Sequence, residues 1–157
     1  MTDLPSPPPV RIAAPQDEPA ILELCWLAHA ERPERSLSKP KAQTMVRNCL
    51  AGQGGVIGVV DVESDIRAMV GLVVSAAWCS DDLELYDWLV FVRADCRHLR
   101  YLTPILTFAK EQAIRLGLPL WMGFIGDERV AAKGRAYHRH FGKFGETFRF
   151  DPRAQAA

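Results

Sequence analysis

The chain has 157 residues, 48% of them hydrophobic and 24% charged, and its 19 basic and 19 acidic side chains cancel. That length and composition suit one soluble globular domain with a real core. A zero net charge argues against broad electrostatic binding of nucleic acid, and no apolar run approaches the roughly 20 residues that span a bilayer.

Four prolines among the first nine residues rule out a helix or interior strand there, so residues 1–9 are expected to be a tail. Val10–Ala13 reads as a short strand. Gln16–Ala30 reads as a helix, with Ile21, Leu24, Cys25, Leu27 and Ala28 on one side and Asp17 and Glu18 at the favourable N-terminal end. Glu31–Pro40 is a polar loop. Lys41–Leu50 is a second helix, stopped by Gly52 and Gly54-Gly55. Three strands follow: Val56–Glu63, Ile66–Ala77 and Leu83–Val92. Ser64-Asp65 and Cys79–Asp82 are their links, short enough to require an antiparallel meander.

The next helix is the clearest in the chain. Leu102, Ile105, Leu106, Ala109, Ala113 and Leu116 recur at three- and four-residue steps, Pro104 belongs in the first turn, and Gly117 ends it. Leu118–Ile125 is another buried strand, Asp127–Phe141 a basic helix and Phe144–Phe150 a last strand, with residues 151–157 as a tail. The order β-α-α-β-β-β-α-β-α-β describes one α+β domain over residues 10–150. Its sheet is mixed, and the late strand–helix–strand unit forms a right-handed crossover.

Chemistry concentrates between Leu83 and Gly117. The strand Leu83–Val92 runs into the basic turn Arg97-His98-Leu99-Arg100-Tyr101-Leu102, which opens into the clear helix. Unpaired N–H groups at a helix start, reinforced by arginines, favour an anion such as a pyrophosphate. In the strand itself, Glu84 and Asp87 interrupt an apolar run, and an unpaired buried carboxylate is costly. Each is read either as a general base or as part of an ion pair or exposed edge. Alternation puts them on opposite faces unless a bulge intervenes. Asp87, deeper in the run, is favoured, and Tyr86 on the Glu84 face is a candidate pocket wall.

Cys25, Cys49, Cys79 and Cys96 form neither a C-x-x-C motif nor a zinc-type Cys/His cluster, and His29, His98, His138 and His140 form no metal set. Reduced thiols in a cytoplasmic protein, with no metal and no secretory signal, are the expectation. Cys96 is the thiol whose pKa neighbouring positive charge would lower.

With these residues in place, the element order resembles the GNAT superfamily of N-acetyltransferases over roughly Val10 to Phe150. The basic turn falls where that family carries R/Q-x-x-G-x-G/A. Arg97 matches, whereas Arg100 and Leu102 stand at the glycine or alanine positions. The segment Phe91–Lys110 resembles a divergent subgroup, common in phage and bacterial genomes, that lacks the loop glycines. Ala131 to Gly142 looks like the family's A…Y-x-x-x-x-G helix, with Tyr137 as its tyrosine.

The resemblance implies an enzyme that moves an acetyl group from acetyl-CoA to an amine by direct attack. It implies a pantetheine arm lying along the main chain of Phe91 and Val92, where this strand splays from Leu118–Ile125. It implies a pyrophosphate at Arg97, His98, Arg100 and the amides from Leu99 through Tyr101 to Leu102. Tyr137 would protonate the departing thiolate, and Asp87 or Glu84 would accept the amine proton. The implied acceptor is a small-molecule or peptide amine, with no nucleic-acid or membrane partner, and the fold is compatible with a homodimer. The alternative is a non-catalytic protein of the same fold that binds CoA or serves as an interaction or structural module.

Overall fold

Short links force neighbouring strands to run antiparallel, and the centre of the sheet follows that rule. β2 (Gly55–Val62), β3 (Asp65–Ala76) and β4 (Leu83–Val92) form a meander. β1 (Val10–Ile12) adds antiparallel to β2, and β5 (Leu120–Trp121) adds parallel to β4, giving the order β1-β2-β3-β4-β5. This computed structural model describes residues 8–32, 36–124 and 130–142, with only the backbone at residues 98, 99, 130 and 131. The expected strand Phe144–Phe150, the end of Leu118–Ile125, the start of Asp127–Phe141, residues 151–157 and most of the N-terminal tail lie outside the described residues.

The described residues contain four α-helices: α1 (Glu18–Ala30), α2 (Lys39–Leu50), α3 (Leu102–Leu116) and α4 (Val130–His140). The element order and mixed sheet expected from the sequence are therefore present over these residues. α1 starts two residues late because Asp17 is used as a cap. Its Oδ2 accepts the Ala14 N–H at 2.8 Å, and its carboxylate is held by Arg11, leaving Pro15–Asp17 as one 3₁₀ turn. α2 starts two residues early, since Pro40 in a first turn sacrifices no helical hydrogen bond. The turn between β2 and β3 is Glu63-Ser64 rather than Ser64-Asp65. Both central residues have positive φ, 54° and 67°, the hairpin pattern whose twist matches the strands. Asp65 instead enters β3, where it pairs with Arg67 and Arg93.

The two faces of the sheet bury separate cores. Ile21 and Leu24 of α1 and Val46 and Cys49 of α2 pack on Ile57, Val59, Met69 and Phe91. On the other face, Ile105, Phe108, Ala109 and Ala113 of α3 pack on Val60, Ala68, Val70, Leu72 and Leu85. Each fully buried aliphatic side chain contributes about 1.5–3 kcal/mol by leaving water. α4 lies on α3 through Leu106, Ala136 and Tyr137.

An irregularity in β4 changes which side chains share a face. Gly71 faces Leu89 and Leu72 faces Asp87, so Trp88 is an extra residue, a β-bulge. Trp88 and Leu89 consequently both pack toward the α1/α2 layer, while Asp87 keeps the parity of Leu85. A Cβ at Gly71 would lie 2.0–2.5 Å from the Trp88 indole, so only glycine leaves room for that ring.

Candidate active site

β4 is ten residues long, and β5 pairs with only Leu85 and Tyr86. β5 ends at Trp121. Among the described residues, nothing is paired as a strand with the outer edge of β4 from Asp87 to Val92. That opening is the splay expected between the two parallel strands. A cavity of about 370 Å³, within the usual range for ligand sites, fills it. Its floor is Asp87 to Val92. Its remaining walls come from the end of α1, the basic turn, Gly123-Phe124 and α4.

The basic turn folds as a 3₁₀ segment, Ala94–Leu99, that hands the chain to α3. Arg100 has φ of 58° and ψ of 26°, the left-handed conformation that glycine adopts most cheaply. The backbone thus keeps the conformation of a glycine position while carrying an arginine. Pro104 is third in α3, so the helix start has lost one N–H donor. Arg97, Arg100, Tyr101 and Leu102 all line the cavity, and the backbone of His98 and Leu99 belongs to the 3₁₀ segment.

Arg97 does not point freely into this space. Its Nε donates to the Val92 carbonyl at 3.2 Å, and its Nη2 donates to Glu31 Oε1 at 2.6 Å and also to Oε2. Its guanidinium lies 5.8 Å from the centre of the Phe91 ring. Around the turn, Arg93 bridges Asp65 and Asp95 and ties it to the β2–β3 hairpin.

Acid–base groups gather at the other end. Asp87 Oδ1 accepts the Gly123 N–H at 3.0 Å. Burial, only partly offset by that bond, pushes the carboxyl up to about 6. Tyr137 sits under Phe124, with ring centres 5.0 Å apart, and its hydroxyl donates to the Gly123 carbonyl at 3.4 Å. Burial first, and then the charge of Asp87, push its pKa upward, so the phenol is protonated at neutral pH. Gly123 therefore links the two side chains, one through its N–H and the other through its carbonyl.

No family model and no curated protein matches this chain. Solved structures do match. A protein from Clostridium acetobutylicum described as a predicted acetyltransferase, solved with acetyl-CoA, is 11% identical over 90% of this chain and 94% of its own, with a TM-score of 0.71. An aminoglycoside acetyltransferase from an uncultured soil metagenomic sample, in complex with sisomicin, is 16% identical over 90% and 93%, at 0.67. An aminoglycoside 6'-N-acetyltransferase from Acinetobacter haemolyticus is 12% identical over 90% and 96%, at 0.65. The chain has the GNAT fold.

Within that GNAT fold the cavity brings together Asp87, Phe91, Val92, Arg97, Arg100, Tyr101, Leu102 and Tyr137. It does not include Glu84 or Tyr86. Tyr86 donates its hydroxyl to Glu84, and the pair lies outside the cavity lining, consistent with the opposite-face argument. Cys96 is no activated thiol. It is buried, and burial followed by Asp95 raises its pKa, outweighing the nearby arginines. Sequence reasoning missed Glu31 and Gly123, because a helix end and a glycine beyond a strand carry no local signal of a site. No cluster of metal-binding side chains occurs among the described residues, and no helix there is long and apolar enough to cross a membrane.

Proposed function

We propose that the chain is an acyl-CoA-dependent N-acyltransferase that uses acetyl-CoA and transfers the acetyl group to a small-molecule or peptide amine. The observation that supports this reading is the cavity at the open edge of β4, with a basic turn at one end and the Asp87–Gly123–Tyr137 arrangement at the other. CoA would place its pyrophosphate at the turn, against Arg97, Arg100 and the first amides of α3. Its pantetheine arm would run along Phe91 and Val92, carrying the thioester toward Asp87.

Asp87 suits the base. With a pKa of about 6 it is ionised at neutral pH, yet basic enough to take a proton from the attacking amine. The amine lone pair forms the C–N bond, the carbonyl electrons return from the tetrahedral oxyanion, and the C–S bond breaks. Tyr137 then stabilises the departing sulfur. A phenol held above its ordinary value of about 10 does not surrender its proton to a thiolate whose conjugate acid is near 8.5, so it acts by hydrogen bonding rather than full transfer.

Titration calorimetry with acetyl-CoA tests the donor. Roughly micromolar binding that weakens in Arg97→Ala is expected, since each charge-assisted phosphate contact is strong. Wild-type protein that binds no CoA overturns the reading and favours an interaction module, a reading that the side chains of Arg100 and Leu102 at the glycine positions of the turn favour. An amine screen then follows, in which Asp87→Asn and Tyr137→Phe should retain CoA and lose turnover.

A further inference from the structure

Arg97 already has an anion. Glu31 lies 66 positions earlier, at the C-terminal cap of α1, and its two carboxylate oxygens both accept from Arg97 Nη2. Both residues line the same cavity. Nothing local favours a carboxylate at position 31, because the exposed carbonyls at a helix C-terminus form the negative end of its dipole. The Arg97 guanidinium offsets this repulsion. The pair is partly solvated, with side-chain exposures of 36% for Glu31 and 27% for Arg97, so it is exchangeable rather than locked.

Resting on the CoA reading, we propose that Glu31 competes with the donor's diphosphate for Arg97, so that donor binding exchanges one anion for another at that guanidinium. The diphosphate brings more charge and more acceptor oxygens than one carboxylate, and guanidinium–phosphate bonds are short and strong, so it displaces Glu31. The Nε bond to the Val92 carbonyl keeps Arg97 beside β4 during the exchange. Only the fraction of molecules with Arg97 released is competent to bind, so the pair lowers the apparent affinity by that fraction. Glu31 thereby sets the donor concentration at which the site fills.

The test is calorimetry with CoA, and separately with inorganic pyrophosphate, on wild type, Glu31→Gln and the control Glu23→Gln. Glu23 is an exposed residue of α1 outside the cavity, so its variant makes the same change in net charge without touching Arg97. Gln at the partly exposed helix end keeps the chain folded. Glu31→Gln should bind both probes about 1.5- to fivefold more tightly, the range set by a partly solvated ion pair, and Glu23→Gln should match wild type. Unchanged or weaker binding by Glu31→Gln overturns the competition, as does an equal gain in Glu23→Gln. If wild type binds CoA, Arg97→Ala weakens it and Glu31→Gln changes nothing, the CoA site stands and the competition alone falls. If neither wild type nor Glu31→Gln binds, the CoA reading itself falls.

Discussion

Asp87 sits in an apolar strand with the Gly123 N–H on its Oδ1, and burial holds its pKa near 6 rather than near 3.8. Well below 3.8, near pH 2.5, the carboxyl is protonated in both folded and unfolded chains and contributes nothing to their balance. As pH rises from there to 6, the unfolded chain ionises first and gains stability relative to the native one. Above pH 6 the native state carries the full cost, about 2–3 kcal/mol at 1.36 kcal/mol per unit. Asn keeps an oxygen for Gly123 and has no charge to bury. Asp87→Asn should therefore melt above wild type at pH 7.5, by several degrees, and equal it near pH 2.5, as calorimetric melting will show. Its acetyl transfer should vanish, while the wild-type rate should climb with pH through about 6 as the base ionises. A variant that gains no stability at pH 7.5 would mean that Asp87 is well solvated and poorly suited as a tuned base.

At the scale of elements, two turns hold non-glycine residues in the left-handed region. Glu63-Ser64 does so between β2 and β3, and Arg100 does so at the mouth of α3. Each such residue costs about 1–2 kcal/mol relative to glycine. Replacing Glu63-Ser64 by Asn-Gly, the pair this turn geometry prefers, should raise the melting temperature by about 2–5 °C and leave CoA binding unchanged. Arg100→Gly relieves the same kind of strain but removes a cation from the cavity wall. It should gain about 1 kcal/mol in stability and bind CoA several-fold more weakly. Tighter binding would instead identify Arg100 as a steric plug.

β4, α3 and the basic turn were legible in the sequence because their signals are local: an apolar run, a 3.6-residue period, clustered arginines and a terminal Gly117. The two-residue length of β5 was not legible. Leu118–Ile125 is apolar throughout, and only the splay from β4 decides how much of it pairs. Strand parity placed Asp87 and Glu84 on opposite faces, and the depth of Asp87 in the apolar run favoured it. Glu31 was not legible, since its partner lies 66 positions away and the contact exists only once α1 has docked on the sheet.

The molecule as a whole is a sheet between two helical layers, and two glycines of its strands each lie under an aromatic ring. A Cβ at Gly58 would lie 2.5–3.0 Å from the Phe108 ring of α3, on one face. A Cβ at Gly71 would strike Trp88, on the other face, and Trp88 is also part of the cavity floor. Gly58→Ala and Gly71→Ala should both destabilise by about 1–3 kcal/mol, because each overpacks a filled interior. Their functional consequences should differ. Moving Phe108 disturbs only the α3 layer, which does not line the cavity at that point, so Gly58→Ala should bind CoA as wild type does. Moving Trp88 disturbs the bulge that sets the parity of Asp87 against Leu89 and Phe91, so Gly71→Ala should weaken CoA binding and shift tryptophan fluorescence. Equal CoA affinity in the two variants, at equal loss of stability, would show that the bulge serves packing and not the site.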